Sequence, residues 1–146
     1  MKILVRPAAV FALFSGLAAF AGCGGGGSPG LCGAPKGQVA LVYPAPGSTG
    51  IPDGFPGIVL GSTNGLGPSY DAVLQQAGTV LQVPQGRVAL APTPLPSPYL
   101  LPAFPNPIYQ ISAARIVLLS GAKYQVYLND SNSNCGLSSI GSFTAQ

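Results

Sequence analysis

The stretch Lys123-Tyr-Gln-Val-Tyr-Leu-Asn129 decides the class of fold. Tyr124, Val126 and Leu128 fall on one face and Gln125, Tyr127 and Asn129 on the other. A period of two is that of a strand with one face in a core and the other toward water. Working outward, similar segments recur between turn residues. They are Gln38–Tyr43 (QVALVY), Gly57–Ser62 (GIVLGS), Tyr70–Gln76 (YDAVLQQ), Thr79–Val83 after a turn at Ala77-Gly78, Arg87–Leu90, a strand within Pro107–Leu119, and Ser139–Ala145 (SIGSFTA). After the first twenty-two residues no stretch carries a sustained 3.6-residue apolar period, and Pro interrupts nearly every window long enough for a helix. The expectation is an all-β domain over residues 37–146, a single antiparallel sandwich of seven or eight short strands.

Composition excludes several functions. Charged residues make up 6% of the chain, and it has no His, no Trp and no Glu, with Asp53, Asp71 and Asp130 as its only acids. His-dependent triads, His-ligated metals and Glu-based acid catalysis are therefore ruled out. Lys36, Arg87, Arg115 and Lys123 are scattered and nearly balanced by the three Asp. They cannot supply the clustered cations that neutralise a nucleic-acid backbone.

The N-terminus reads as an export signal over residues 1–22. Lys2 and Arg6 precede an apolar run from Ala8 to Ala21, too short to span a bilayer as a helix. The run ends in Phe20-Ala21-Gly22-Cys23, which resembles the lipobox of bacterial lipoproteins, although Phe20 stands where that pattern prefers Leu. The resemblance implies lipidation of Cys23, cleavage before it and acylation of the new amino terminus, which together anchor a protein stably. Residues 23–36 then form a Gly- and Pro-rich tether, opening with four glycines at 24–27. Gly24 rather than Asp follows the Cys, which by analogy with Gram-negative sorting favours the outer membrane. With Cys23 lipidated, Cys32 and Cys135 remain, and in an oxidising compartment they are expected to form one structural disulfide. Such a bridge would remove about 4 to 5 kcal/mol of unfolded-chain entropy. Their separation fits no CxxC redox or zinc site.

Two further segments resemble bacterial Ig-like and fibronectin type III domains. Leu118-Leu-Ser-Gly121-Ala-Lys-Tyr124 is similar to the L-x-P-G-T-x-Y run of those families, with Ser120 in place of Pro. The resemblance implies a tyrosine corner built from Leu118, Gly121 and Tyr124. Tyr43-Pro-Ala-Pro-Gly-Ser-Thr-Gly-Ile-Pro52 is similar to the opening of bacterial Ig-like repeats, and Gly141-Ser-Phe-Thr-Ala145 to their last strand. In that topology the N-terminus, the loop carrying Cys135 and the end of the Pro-rich segment share one pole.

Three motifs bear on chemistry. Ser120-Gly-Ala-Lys123 is formally S-x-x-K, but it is read as a turn into a strand and lacks the companion elements of a serine acyl-enzyme site. Asp130-Ser-Asn132-Ser-Asn134 begins like a calcium loop, yet Cys135 occupies the position that wants Gly and no Glu exists to close the site. Pro92–Pro107 holds seven prolines in sixteen residues together with Leu95, Tyr99, Leu100, Leu101 and Phe104. It reads as extended polyproline-like chain, either a lid packed over the sheet or a recognition surface.

These readings combine into a non-catalytic envelope protein, lipid-anchored, with an Ig-like domain for structural or adhesive contact. The rival reading is a lipoprotein that captures a glycan or small apolar molecule at Tyr99, Phe104 and Tyr109. Neither reading involves a metal or cofactor. The partners expected are a membrane, through the lipid, and an envelope protein or glycan, not nucleic acid.

Overall fold

The computed structural model describes residues 37–132 and 136–146. The signal segment 1–22, Cys23, the tether to residue 36, Cys32 and Cys135 all lie outside those residues. Seven strands follow in chain order: β1 (Val39–Tyr43), β2 (Gly57–Ser62), β3 (Tyr70–Gln76), β4 (Gln82–Leu90), β5 (Ile108–Ala113), β6 (Lys123–Asp130) and β7 (Ser138–Thr144). The all-β class and the lower strand count stand. Of Thr79–Val83 and Arg87–Leu90, expected as separate strands, the end of the first and the whole of the second are joined in β4, which runs through Pro84, while Thr79–Leu81 lie outside any strand.

That joining overturns the Ig-like sandwich. A sandwich needs a break where one sheet ends and the facing sheet begins. Here all seven strands form one sheet in the order β1-β2-β5-β4-β3-β6-β7. β4 supplies the continuity, pairing with β3 over Gln82–Arg87 and with β5 over Val88–Leu90. The sheet winds through 301°, a near-closed barrel. The bend in β4 falls where the β3–β4 register shifts between Asp71 and Val73, and such a bulge turns a sheet and tolerates a proline. At Gly86 a Cβ would lie 3.2 Å from Ala113, a tight contact that glycine relieves where β4 passes β5. Ser112, fully buried, pins the corner: its hydroxyl accepts from the Ala72 amide at 3.0 Å and donates to the Gly86 carbonyl.

An odd number of antiparallel strands leaves the first and last running the same way, so closure has to be parallel. The chain leaving β1 provides it. Gly47 N–H donates to the Ser142 carbonyl (2.7 Å), Thr144 to Ser48 (2.9 Å), Ile51 to Thr144 (3.2 Å) and Gln146 to Ile51 (2.8 Å). Ile51 and Ala145 form the parallel bridge. β7 approaches β1 across the seam through Gly141, where a Cβ would meet Leu41 Cδ2 at 2.7 Å.

The barrel interior is apolar. Leu41, Ile58, Leu60, Ala72, Leu74, Val126 and Leu128 fill it, with Phe143 stacked on Tyr124 (5.5 Å between centroids) and tilted against Phe55 (6.1 Å). All six residues of β2 are buried, because its outer face is covered too. The Pro-rich segment lies there, as a strap. Leu100 N–H donates to the Val42 carbonyl (2.9 Å), Ala45 N–H to the Pro98 carbonyl (3.0 Å), and the open space above Gly61 is taken by Pro102 and Pro107. Both ends of the strap sit at the pole where the N-terminus enters, but its middle climbs to Ala45, past the far end of β1. The expectation placed only its end correctly.

The described residues contain no disulfide and no helix long and apolar enough to cross a membrane. The Cys32–Cys135 bridge, expected from cysteine count, finds no counterpart here because both of its residues lie outside the description.

Candidate functional site

The two poles of the barrel are built differently. At the N-terminal pole the loop between β2 and β3 folds inward. Leu66 is buried, and the Gln110 side chain clamps its backbone, accepting from Leu66 N–H (2.5 Å) and donating to Leu66 C=O (3.0 Å). That end is plugged. The opposite pole carries the β3–β4 turn (77–81), the β5–β6 connection (114–122) and the closing segment 47–56.

At that opposite pole an apolar mouth of about 260 Å³ opens between the turn and the connection. Leu74 and Tyr124 form its inner wall, Leu81 and Val83 one side, and Ile116, Val117 and Leu119 the other. Four large apolar side chains around this pole stand in water: Val80 (95% exposed), Val117 (74%), Leu81 (68%) and Leu119 (58%). Isolated exposed apolar residues are ordinary, whereas several converging on one concavity mark a binding site. The lining has no charged side chain; its polar groups are Gln76, Thr79 and the Tyr124 phenol.

Local structure holds the rim in place. Gly78 takes a positive φ of 82° in the turn, and Gln76 C=O accepts from both Thr79 N–H (3.1 Å) and the Thr79 hydroxyl (2.9 Å). Gln75 Nε2 donates to Thr79 C=O at 2.7 Å. Across the mouth, the Tyr124 hydroxyl accepts from Leu119 N–H at 2.8 Å. Leu118 is buried and Gly121 has a φ of 70° in the adjoining turn. Leu118, Gly121 and Tyr124 are thus brought together, and the tyrosine bond orients Leu119 at the rim.

Tyr99, Phe104 and Tyr109 are not brought together. Tyr99 is 47% exposed on the strap, Phe104 is half-buried there, and Tyr109 lies in β5 opposite Gly61, packed against the core from outside. None touches another ring, and none lines the mouth. Ser120 occupies the turn and Lys123 the first residue of β6. In the calcium-like stretch, Asp130 Oδ1 accepts from Asn132 N–H (3.1 Å), a turn of the Asx kind, and Ser133, Asn134 and Cys135 lie outside the described residues. Among the described residues no group of three His, Cys, Asp or Glu could hold a metal.

The mouth escaped sequence reasoning because its residues sit inside Thr79–Val83 and Pro107–Leu119, stretches taken as strands. The available signal was the excess length of the second: β5 ends at Ala113, and an apolar Ile-Val-Leu-Leu run follows outside any strand. The reading as an Ig-like module for structural or adhesive contact rested on the sandwich and is overturned with it. A near-closed barrel with an apolar core and an apolar mouth is consistent with a ligand-binding barrel. No protein-family model, curated protein or solved structure matches this chain.

Proposed function

We propose that this chain is a non-catalytic barrel that binds a small, neutral, apolar molecule or acyl group in the mouth at the pole opposite its N-terminus. The observation that carries the reading is the convergence of Leu81, Val117 and Leu119, all exposed, on one uncharged concavity floored by Leu74 and Tyr124. A volume of about 260 Å³ lies just under the ~300 Å³ at which ordinary small-molecule sites begin. It suits a compact aromatic molecule of about two or three rings, or a short acyl chain. Without charge in the lining, a charged ligand would lose hydration and gain no partner.

The N-terminal sequence supports an envelope-tethered protein, anchored by lipid at Cys23. On this reading the tether enters the plugged pole and the mouth faces away from the membrane. Replacement of Cys23 by Ser then moves the protein from the detergent phase to the aqueous phase on fractionation. Retention in the detergent phase refutes the anchor without touching the binding site.

Titration with the neutral naphthylamine probe N-phenyl-1-naphthylamine tests the mouth. Saturable one-to-one fluorescence enhancement is the expected result, weakened about five- to tenfold by Leu119→Asn, since a partly buried leucine contributes roughly 1 to 1.5 kcal/mol. A linear, non-saturating response, or one indifferent to Leu119→Asn and Leu81→Asn alike, rejects the proposal.

A further inference from the structure

A second concavity lies on the outer wall, and it gathers half of the charged side chains of the described residues. The described residues hold three cations, Arg87, Arg115 and Lys123, and three acids, Asp53, Asp71 and Asp130. Both arginines and Asp71 line one groove of about 370 Å³, together with Ser69, Asn129 and Ser131.

Strand register explains the gathering. Asp71 in β3 stands opposite Arg87 in β4 on one side and Asn129 in β6 on the other. Directly opposed residues share a face, and the alternate positions Ala72 and Leu128 fill the core. Arg87, Asp71 and Asn129 therefore form a row on the outside of the barrel. Arg115 joins from the β5–β6 connection, where its N–H donates to Gln85 Oε1 at 2.8 Å. Gln85 is itself 1% exposed, and its Nε2 is fixed on the Val83 carbonyl at 2.8 Å. A fully buried amide thus sets the position of an exposed arginine.

Asp71 is not the arginines' partner. It is 8% exposed, and its Oδ1 accepts from Asn129 Nδ2 at 2.8 Å. Neither guanidinium forms an ion pair among the described residues. Two forked donors are left facing the groove beside one carboxylate whose second oxygen can accept from a hydroxyl. Arginine forks match carboxylates in pairs of parallel hydrogen bonds. With Asp71 in place the groove carries a net charge of about +1, which attracts an anion and is neutralised by a single carboxylate.

We propose that this groove binds an acidic saccharide, its carboxylate held by Arg87 and Arg115 and its ring hydroxyls by Asp71 and Asn129. Pro84, which also lines the groove, presents a flat apolar surface to the C–H face of a sugar ring. This inference stands apart from the apolar mouth and survives the failure of that reading.

The test is calorimetric titration of the full-length chain with galacturonate, a monoanion, alongside neutral galactose and inorganic phosphate. Saturable binding of the uronate is expected, with a Kd raised about tenfold or more by Arg87→Gln and by Arg115→Gln, as loss of a charged hydrogen bond implies. Arg115→Lys should recover part of the loss. Both arginines are solvent-exposed, so these variants fold, which circular dichroism verifies. Any of three results overturns the proposal: no saturable uronate binding, equal binding of galactose or of phosphate, or affinity unchanged in both glutamine variants.

Discussion

The strap at 92–107 and the rim of the mouth, at 77–81 and 114–122, are both apolar, both irregular and both partly exposed, yet they do opposite work. The strap is fixed to the end of β1 by two backbone hydrogen bonds and fills the space above Gly61 with proline rings. Its apolar residues complete a wall. The rim has no strand beneath its exposed side chains; Leu81, Val117 and Leu119 surround a cavity that leads to Leu74 and Tyr124. Hydrophobic content in a loop therefore does not identify a binding surface. What lies under it does.

The largest effect that can break this comparison is on the strap side. Tyr43 shares the outer face of the sheet with Val59, its register partner, and is 2% exposed. Tyr43→Ala should cost about 3 to 5 kcal/mol in urea unfolding, the range for an emptied aromatic site. A loss under about 1 kcal/mol means the strap covers nothing and is free to recognise a partner.

Next in size is Tyr124→Phe. It leaves Leu119 N–H without its acceptor and should destabilise the fold by about 1 to 2 kcal/mol. If the Tyr124 bond orients the rim, probe affinity falls as well. An unchanged midpoint and unchanged affinity together would show that the rim is held by other contacts.

Alkali sharpens the same contrast. Burial pushes the Tyr43 phenol above its ordinary value of 10.0, and the folded state thus favours the neutral form. The stability this contributes is complete below pH 10 and is lost as pH rises above it, because the unfolded chain releases the proton first. Tyr70 is raised too, by burial first and then by the neighbouring charge and hydrogen bond of Asp130. Stability measured against pH should therefore decline above about 10, less steeply in Tyr43→Phe. A parallel decline in that variant removes Tyr43 from the account. The smallest effect belongs to the rim: Leu119→Asn, at an exposed position, should change stability by no more than about 0.5 kcal/mol while weakening the apolar probe.

Much of the fold was legible because alternation leaves a direct trace. Lys123–Asn129 and Tyr70–Gln76 gave their strands closely, and the unalternating Gly57–Ser62 is a strand covered on both faces. The choice between sandwich and barrel was not legible. Inward and outward alternation is the same in both, and the deciding features are main-chain ones: β4 continuing through Pro84-Gln-Gly86, and segment 47–51 pairing in parallel with β7. The hydrogen bond from Leu119 to Tyr124 discriminates no better, since a tyrosine can bond back to its preceding turn in either architecture. The mouth was hidden because Val80, Leu81, Val117 and Leu119 read as buried strand residues, and nothing local to them says that a cavity rather than a neighbour faces them. The outer groove was hidden for a related reason: Arg87, Asp71 and Asn129 are far apart in sequence and meet only through register.

The account's central claim is that binding belongs to the open pole and not to the strap. Backbone amide shifts recorded during titration with N-phenyl-1-naphthylamine test it most directly. The account predicts saturating shifts at Leu74, Leu81, Val117 and Leu119, with Tyr99, Leu100 and Leu101 unmoved. Shifts concentrated on those three strap residues, with the mouth silent, would contradict it.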